Sequence, residues 1–136
     1  RLIAAARQTK SVTETVTFGD TAALIGDTLK RAGNDLTVVT YWQAGDPVVT
    51  PLQMFVHAIG PDGAIVAQTD RLDAPAFGWR AGDVIAQVQH LSFETTPTVP
   101  VQIEIGLYNA ASGERVRVTA AGQAVDSRFV LQAAFP

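Results

Sequence analysis

The sequence predicts an all-β fold: an antiparallel two-sheet β-sandwich, jelly-roll-like, of about eight or nine strands. Three observations predict it. Short runs of β-branched and apolar residues alternate with polar ones, the pattern of half-buried strands. Clusters of Gly, Pro, Asp and Asn break these runs about every ten residues, as sandwiches and barrels require. No segment carries the 3.6-residue apolar period of an amphipathic helix.

The runs are laid out around residues 34–70, NDLTVVTYWQAGDPVVTPLQMFVHAIGPDGAIVAQTD. Three strands are expected there, at 36–43, 52–59 and 64–69. The last two are joined by Gly60-Pro61-Asp62-Gly63, where Pro presets one turn dihedral and Gly accepts a positive φ. In the first, Leu36, Val38, Thr40 and Trp42 share one face and Val39 and Tyr41 the other, which marks a central strand. In the second, Leu52, Met54, Val56 and Ala58 oppose Gln53, Phe55, His57 and Ile59. Residues 44–51 hold two prolines and form a loop.

Upstream, Val12, Glu14, Val16 and Phe18 alternate with three threonines, and Gly19-Asp20 ends that strand. Residues 23–29 form a weaker run with Gly26 at an expected bulge, followed by a turn at 32–35. Downstream, residues 84–93 resume a strand. Val84, Ala86 and Val88 are in one phase and Leu91 and Phe93 in the other, so a bulge is expected near His90. Val101, Ile103, Ile105 and Leu107 form the cleanest alternation and are expected to point between the sheets. A hairpin loop at 109–114, a short strand at 115–118 and a closing strand through Val125, Ser127, Phe129 and Leu131 complete the chain.

Composition bounds the function. With 136 residues the chain is one domain, read as a linker or N-terminal stub at 1–11 and a β-sandwich at 12–136. It starts at Arg1 rather than Met and is read as a piece of something longer. Ten basic against thirteen acidic residues, net −3, argue against nucleic acid as a partner. No apolar run is long enough for this segment to insert in a membrane. The absence of cysteine excludes disulfides and thiolate metal ligands, and two histidines without further ligands make no zinc site. Asp70 and Asp73 are too sparse for a calcium loop, so neither a metal nor another cofactor is expected. No serine lies in a nucleophile elbow and no glycine-rich phosphate loop occurs, so no catalytic residue is assigned. Nothing marks one carboxylate pair as a glycosidase pair.

The candidate ligand-binding residues lie in the longest irregular stretch, 71–83, RLDAPAFGWRAGD. Phe77 and Trp79 offer ring faces to the C–H groups of a sugar, beside Arg71, Asp73 and Arg80 for its hydroxyls. The competing reading of Trp79 is a packing anchor.

Four segments carry a resemblance: TVVTYWQA, LQMFVHAIGPDGAIVAQTD, FGWRAGDVI and IEIGLYNAASGERV. The residues are Tyr41-Trp42, Phe55-Val56-His57, Asp62-Gly63, Gln68, Asp70, Trp79, Gly82, Gly106-Leu107-Tyr108 and Gly113-Glu114, within residues 12–118. Together they resemble the β-sandwich domain that follows the transmembrane region of bacterial polytopic membrane glycosyltransferases of the mannosyltransferase type. The sequence departs from that pattern at RLDAPAFG, between Asp70 and Trp79. The resemblance implies a sandwich outside the cytoplasm, tethered to an upstream transmembrane region, and no catalysis by this domain. The expected function is therefore that of a non-catalytic accessory domain, with a glycan or cell-envelope polysaccharide as candidate partner. The alternatives are a structural or protein-interaction module and, behind it, a glycoside hydrolase-like enzyme.

Overall fold

A computed structural model describes residues 16–47, 51–71, 79–120, 123–124 (backbone only) and 127–131. Its elements are all strands: β1 Val16–Phe18, β2 Ala22–Ala32, β3 Asp35–Ala44, β4 Leu52–Ile59, β5 Ile65–Asp70, β6 Val84–Ser92, β7 Gln102–Asn109, β8 Val118–Ala120, β9 Gln123–Ala124 and β10 Phe129–Val130. They form a six-stranded sheet, β6-β3-β2-β1-β8-β9, and a four-stranded sheet, β10-β7-β4-β5. Every pairing is antiparallel. The protein is a two-sheet β-sandwich. The chain passes between sheets at β3–β4, β5–β6, β6–β7, β7–β8 and β9–β10, whereas β1-β2-β3 is a simple meander. Among the described residues no helix is long and apolar enough to cross a membrane.

The inner faces follow the alternation. Leu36, Val38 and Trp42 of β3, Met54, Val56 and Ala58 of β4, and Ile103, Ile105 and Leu107 of β7 are buried in one core cluster. The Trp42 ring meets Phe18 edge-on at 4.8 Å. The expected turns form as well. Gly63 has φ 85°, and the Asp62 carboxylate accepts the Ala64 N–H at 3.1 Å. A tight turn at Gly33-Asn34 joins β2 to β3, with Ala32 opposite Asp35. The register shift between Leu24 and Gly26 is the expected bulge.

Four readings need correction. β2 is the longest strand, 11 residues, because its bulge shifts the inward phase from Leu24 to Asp27 and hides the alternation. The bulge expected near His90 is absent: β6 pairs with β3 without interruption from Asp35–Ser92 to Gln43–Val84. Apolar alternation gives the wrong phase here because the inward side chains of mid-β6 are Gln87 and Gln89, both 0% exposed, while Val84, Ala86 and Val88 are only half-buried. The short strand near 115–118 is displaced to β8, with Val116 packed against the core from the preceding segment. Of the closing strand, only Phe129–Val130 is a strand among the described residues, β10, with Phe129 and Leu131 inward, and β9 lies ahead of the expected range; Val125, like residues 12–15, lies outside the described residues.

Burying Gln89 is offset in part, because its amide nitrogen finds partners while its amide oxygen has none among the described residues. Gln89 Nε2 donates to the Arg71 carbonyl at 2.6 Å and lies 3.8 Å from Met54 Sδ. Thr40 sits opposite both Asp27 and Gln87, and its hydroxyl accepts the Trp42 indole N–H at 2.7 Å. A polar row thus crosses the inner face of the six-stranded sheet.

Two stability outcomes follow. Ile105→Ala should cost about 2–5 kcal/mol in denaturant unfolding, the lost transfer energy plus a cavity. Thr40→Val keeps the volume but orphans the Trp42 N–H, and should cost about 1–3 kcal/mol. A loss below about 0.5 kcal/mol in the second variant would mean that the hydroxyl is not the indole's essential partner.

Candidate functional site

Of the 71–83 segment, which lies between β5 and β6 in the chain, residues 71 and 79–83 are described. Phe77 and Asp73, both candidates from sequence, lie outside the described residues. Arg71 and Arg80 are exposed, with the Arg80 N–H bonded to the Asp83 carboxylate at 2.9 Å. Trp79 is 8% exposed and belongs to the core cluster, so its ring has no open face for a sugar. The packing role is the one the structure supports. Among the described residues, the loop therefore offers guanidinium groups without an aromatic platform.

A denser constellation lies on the outer face of the four-stranded sheet. Strand periodicity places Gln53, Phe55 and His57 of β4 on that face. Register then sets Asp70 of β5 and Gly106 of β7 on either side of Phe55, and Gln68 and Glu104 on either side of His57. Tyr108 lies opposite Gln53. These are the F-x-H, Q-x-D and G-x-Y positions of the sequence motifs, gathered by pairing onto one surface.

Phe55 is 3% exposed although it points away from the sandwich core. Gly106 makes this possible. A Cβ there would stand 2.2 Å from Phe55 Cε2, so the ring lies directly on bare backbone. The guanidinium carbon of Arg115 lies above the ring, 4.5 Å from its centroid, a cation–π contact. The 109–114 loop delivers this arginine. Gly113 has φ 77°, the Asn109 side chain accepts the Ala111 N–H at 2.8 Å, and Tyr108 bridges Arg115. The His57 ring sits 4.7 Å from Phe55, tilted by 36°.

The charges interlock. His57 Nε2 is 4.0 Å from Asp70 Oδ1, and Arg128 Nε is 3.3 Å from Glu104 Oε2. Burial lowers the His57 pKa; Asp70 opposes this, Arg115 reinforces it and Glu104 opposes it. Burial raises the Tyr108 pKa, and the Asp70 charge and a hydrogen bond to that carboxylate add to the rise. His90, in contrast, is exposed on β6 and faces Thr37 Oγ1 at 3.2 Å.

An open groove of about 540 Å³ lies between the β4–β5 turn and residues 93–101. Its apolar lining includes Pro61, Ile65, Val66 and Val99, with Glu94 as its one carboxylate. Among the described residues no group of three or more His, Asp or Glu is placed to hold a metal ion.

No family model matches the chain. No curated protein matches it either. Among solved structures, a β-glucuronidase from glycoside hydrolase family 2 is similar at 13% identity and TM-score 0.46, over 80% of this chain. The match spans 11% of that protein's length. The likeness is too distant to bear on function.

The lowered His57 pKa has a consequence in acid. The unfolded chain takes up a proton at about pH 6.5 that the folded chain resists, so stability should fall as pH drops below that value. At the other end, the unfolded chain gives up the Tyr108 proton first, so stability should fall as pH rises above about 10. Titration of the His57 Cε1 proton by NMR should give a midpoint below the ordinary value; a midpoint above it would contradict the geometry. Gly106→Ala should displace the Phe55 ring, shift the His57 resonance and cost about 1–3 kcal/mol.

Proposed function

We propose that this chain is a non-catalytic accessory module of a larger membrane glycosyltransferase-like protein. It works on the extracytoplasmic side of the membrane, where it holds a glycan of the cell envelope. One observation carries the reading: Phe55, His57, Gln68, Asp70, Gly106 and Tyr108, all motif positions of the resemblance, lie on one outer sheet face. Donors and acceptors fixed on strands suit sugar hydroxyls, because each is held in place by a rigid sheet before the ligand arrives.

A second reading has its own support. The outer face of the six-stranded sheet presents Val39, Tyr41, Val84, Ala86 and Val88, all half-buried, with Tyr41 opposite Ala86 and Val39 opposite Val88. Such an apolar stripe suits contact with another protein surface.

Calorimetric titration with envelope oligosaccharides separates the two. Under the glycan reading, wild type gives binding heat, Asp70→Ala loses it and keeps its melting temperature, and Trp79→Ala loses about 3–5 kcal/mol of stability through its core role. A folded wild type that gives no heat with any oligosaccharide at millimolar concentration would overturn the glycan reading. Val88→Lys, by contrast, should disturb only a protein contact.

A further inference from the structure

We infer that the ligand of the four-stranded sheet's outer face carries an oxyanion, a sugar carboxylate or sugar phosphate, seated on Arg115. The inference rests on the glycan reading and names its substrate class. Arg115 is exposed, and among the described residues its guanidinium makes no ion pair. The nearby carboxylates are engaged elsewhere. Glu104 faces Arg128 at 3.3 Å, and Asp70 takes the Tyr108 hydroxyl and stands 4.0 Å from His57.

The guanidinium is nevertheless held in place. It lies over the Phe55 ring at 4.5 Å, and that ring is seated on Gly106 with no room for even one added carbon. A positioned, ion-pair-free guanidinium edge matches the planar geometry of a carboxylate, or two oxygens of a phosphate, through paired N–H donors. A neutral sugar can accept the same N–H donors through its hydroxyls, but only an anion also compensates the charge.

His57 supplies an independent signature. Three charged groups act on it: Asp70 from β5, Glu104 from β7 and Arg115 from the segment after β7. Arg115 disfavours its protonation. An anion neutralising Arg115 removes that opposition and adds attraction, so ligand binding and protonation of His57 reinforce each other. Affinity for a sugar carboxylate, which stays ionised across this range, therefore rises as pH falls through the His57 titration, whereas a phosphate, with its second pKa at about 6, also loses charge there.

The test titrates isotopically labelled protein with an oligogalacturonate, its methyl ester, glucose 6-phosphate and inorganic phosphate, following the Arg115 Nε–H and His57 ring signals. A charged ligand should bind at least about tenfold tighter than the ester, the scale of one charge-assisted contact. It should raise the His57 midpoint, and in Arg115→Gln the acid-over-ester ratio should fall towards one. If that variant does not fold, the rise in the wild-type His57 midpoint decides alone. Preference for oligogalacturonate assigns a carboxylate and preference for glucose 6-phosphate a phosphate; either supports the inference. Equal affinity for acid and ester overturns it and leaves the glycan reading standing. Inorganic phosphate shifting both signals while no saccharide binds overturns the glycan reading and leaves the oxyanion site. No response to any probe overturns both.

Discussion

The bond from the Gln89 amide to the Arg71 carbonyl, 2.6 Å long and inside the sandwich, ties the two sheets together where the site begins. Arg71 is fixed twice: its N–H donates to the Met54 carbonyl at 2.9 Å, and its carbonyl accepts from β6. The end of β5 is thus pinned to β4 within its own sheet and to the facing sheet. Asp70, the preceding residue, is thereby held beside Phe55. An apolar residue at position 89 would serve the core as well by volume, but it would leave the Arg71 carbonyl without this donor. The buried amide is better understood as a positioning device than as a source of stability, since a neutral hydrogen bond contributes only about 1 kcal/mol net.

The same glutamine shows why hydrophobic patterning fails in β6. Reading alternation assumes that inward positions are apolar, and in β1, β3, β4 and β7 they largely are. Across Asp27, Thr40 and Gln87 the inner face is polar, and the apolar residues of β6 lie on the other side of the strand. The turn residues were legible because their chemistry is local: Gly63 and Gly113 both need positive φ. The bulge was legible for the same reason, through Gly26. Pairing is non-local and was not legible. Nothing in the spacing of residues states that Phe55 lies opposite both Asp70 and Gly106.

That gap explains why the sequence pointed to the 71–83 loop rather than the sheet face. Length, irregularity and two aromatic residues made the loop conspicuous, yet Trp79 anchors the closure of the sandwich. The outer-face site was written in i, i+2 pairs, F-x-H, Q-x-D and G-x-Y, each of which fixes one face of one strand. The signal that could have joined them is Gly106. A glycine between Ile105 and Leu107, inside the strongest strand pattern, implies that something bulky approaches the backbone there. Arg115 carried no such signal, because a turn and a bridge to Tyr108, not strand alternation, bring it to the ring.

The placement of these groups on strands matters for what the face can recognise. Binding must offset the entropy of every side chain it immobilises, about 0.5–1.5 kcal/mol for a flexible one. On this face much of that ordering is already built into the sheet. His57 and Glu104 alternate with Val56 and with Ile103 and Ile105, all 0% exposed, so their backbones cannot shift without disturbing the core. Tyr108 and Asp70 restrain each other through a hydrogen bond. Arg115 comes from outside the regular strands and has the longest side chain of the group, yet its stacking on a seated ring restricts it. The cost is paid in covering an aromatic ring: Phe55 serves as a pedestal and leaves no open ring face for a sugar. Under the proposed glycan reading, selectivity on this face falls to directional, charge-assisted contacts, which discriminate among ligands by the positions of their oxygens rather than by apolar area.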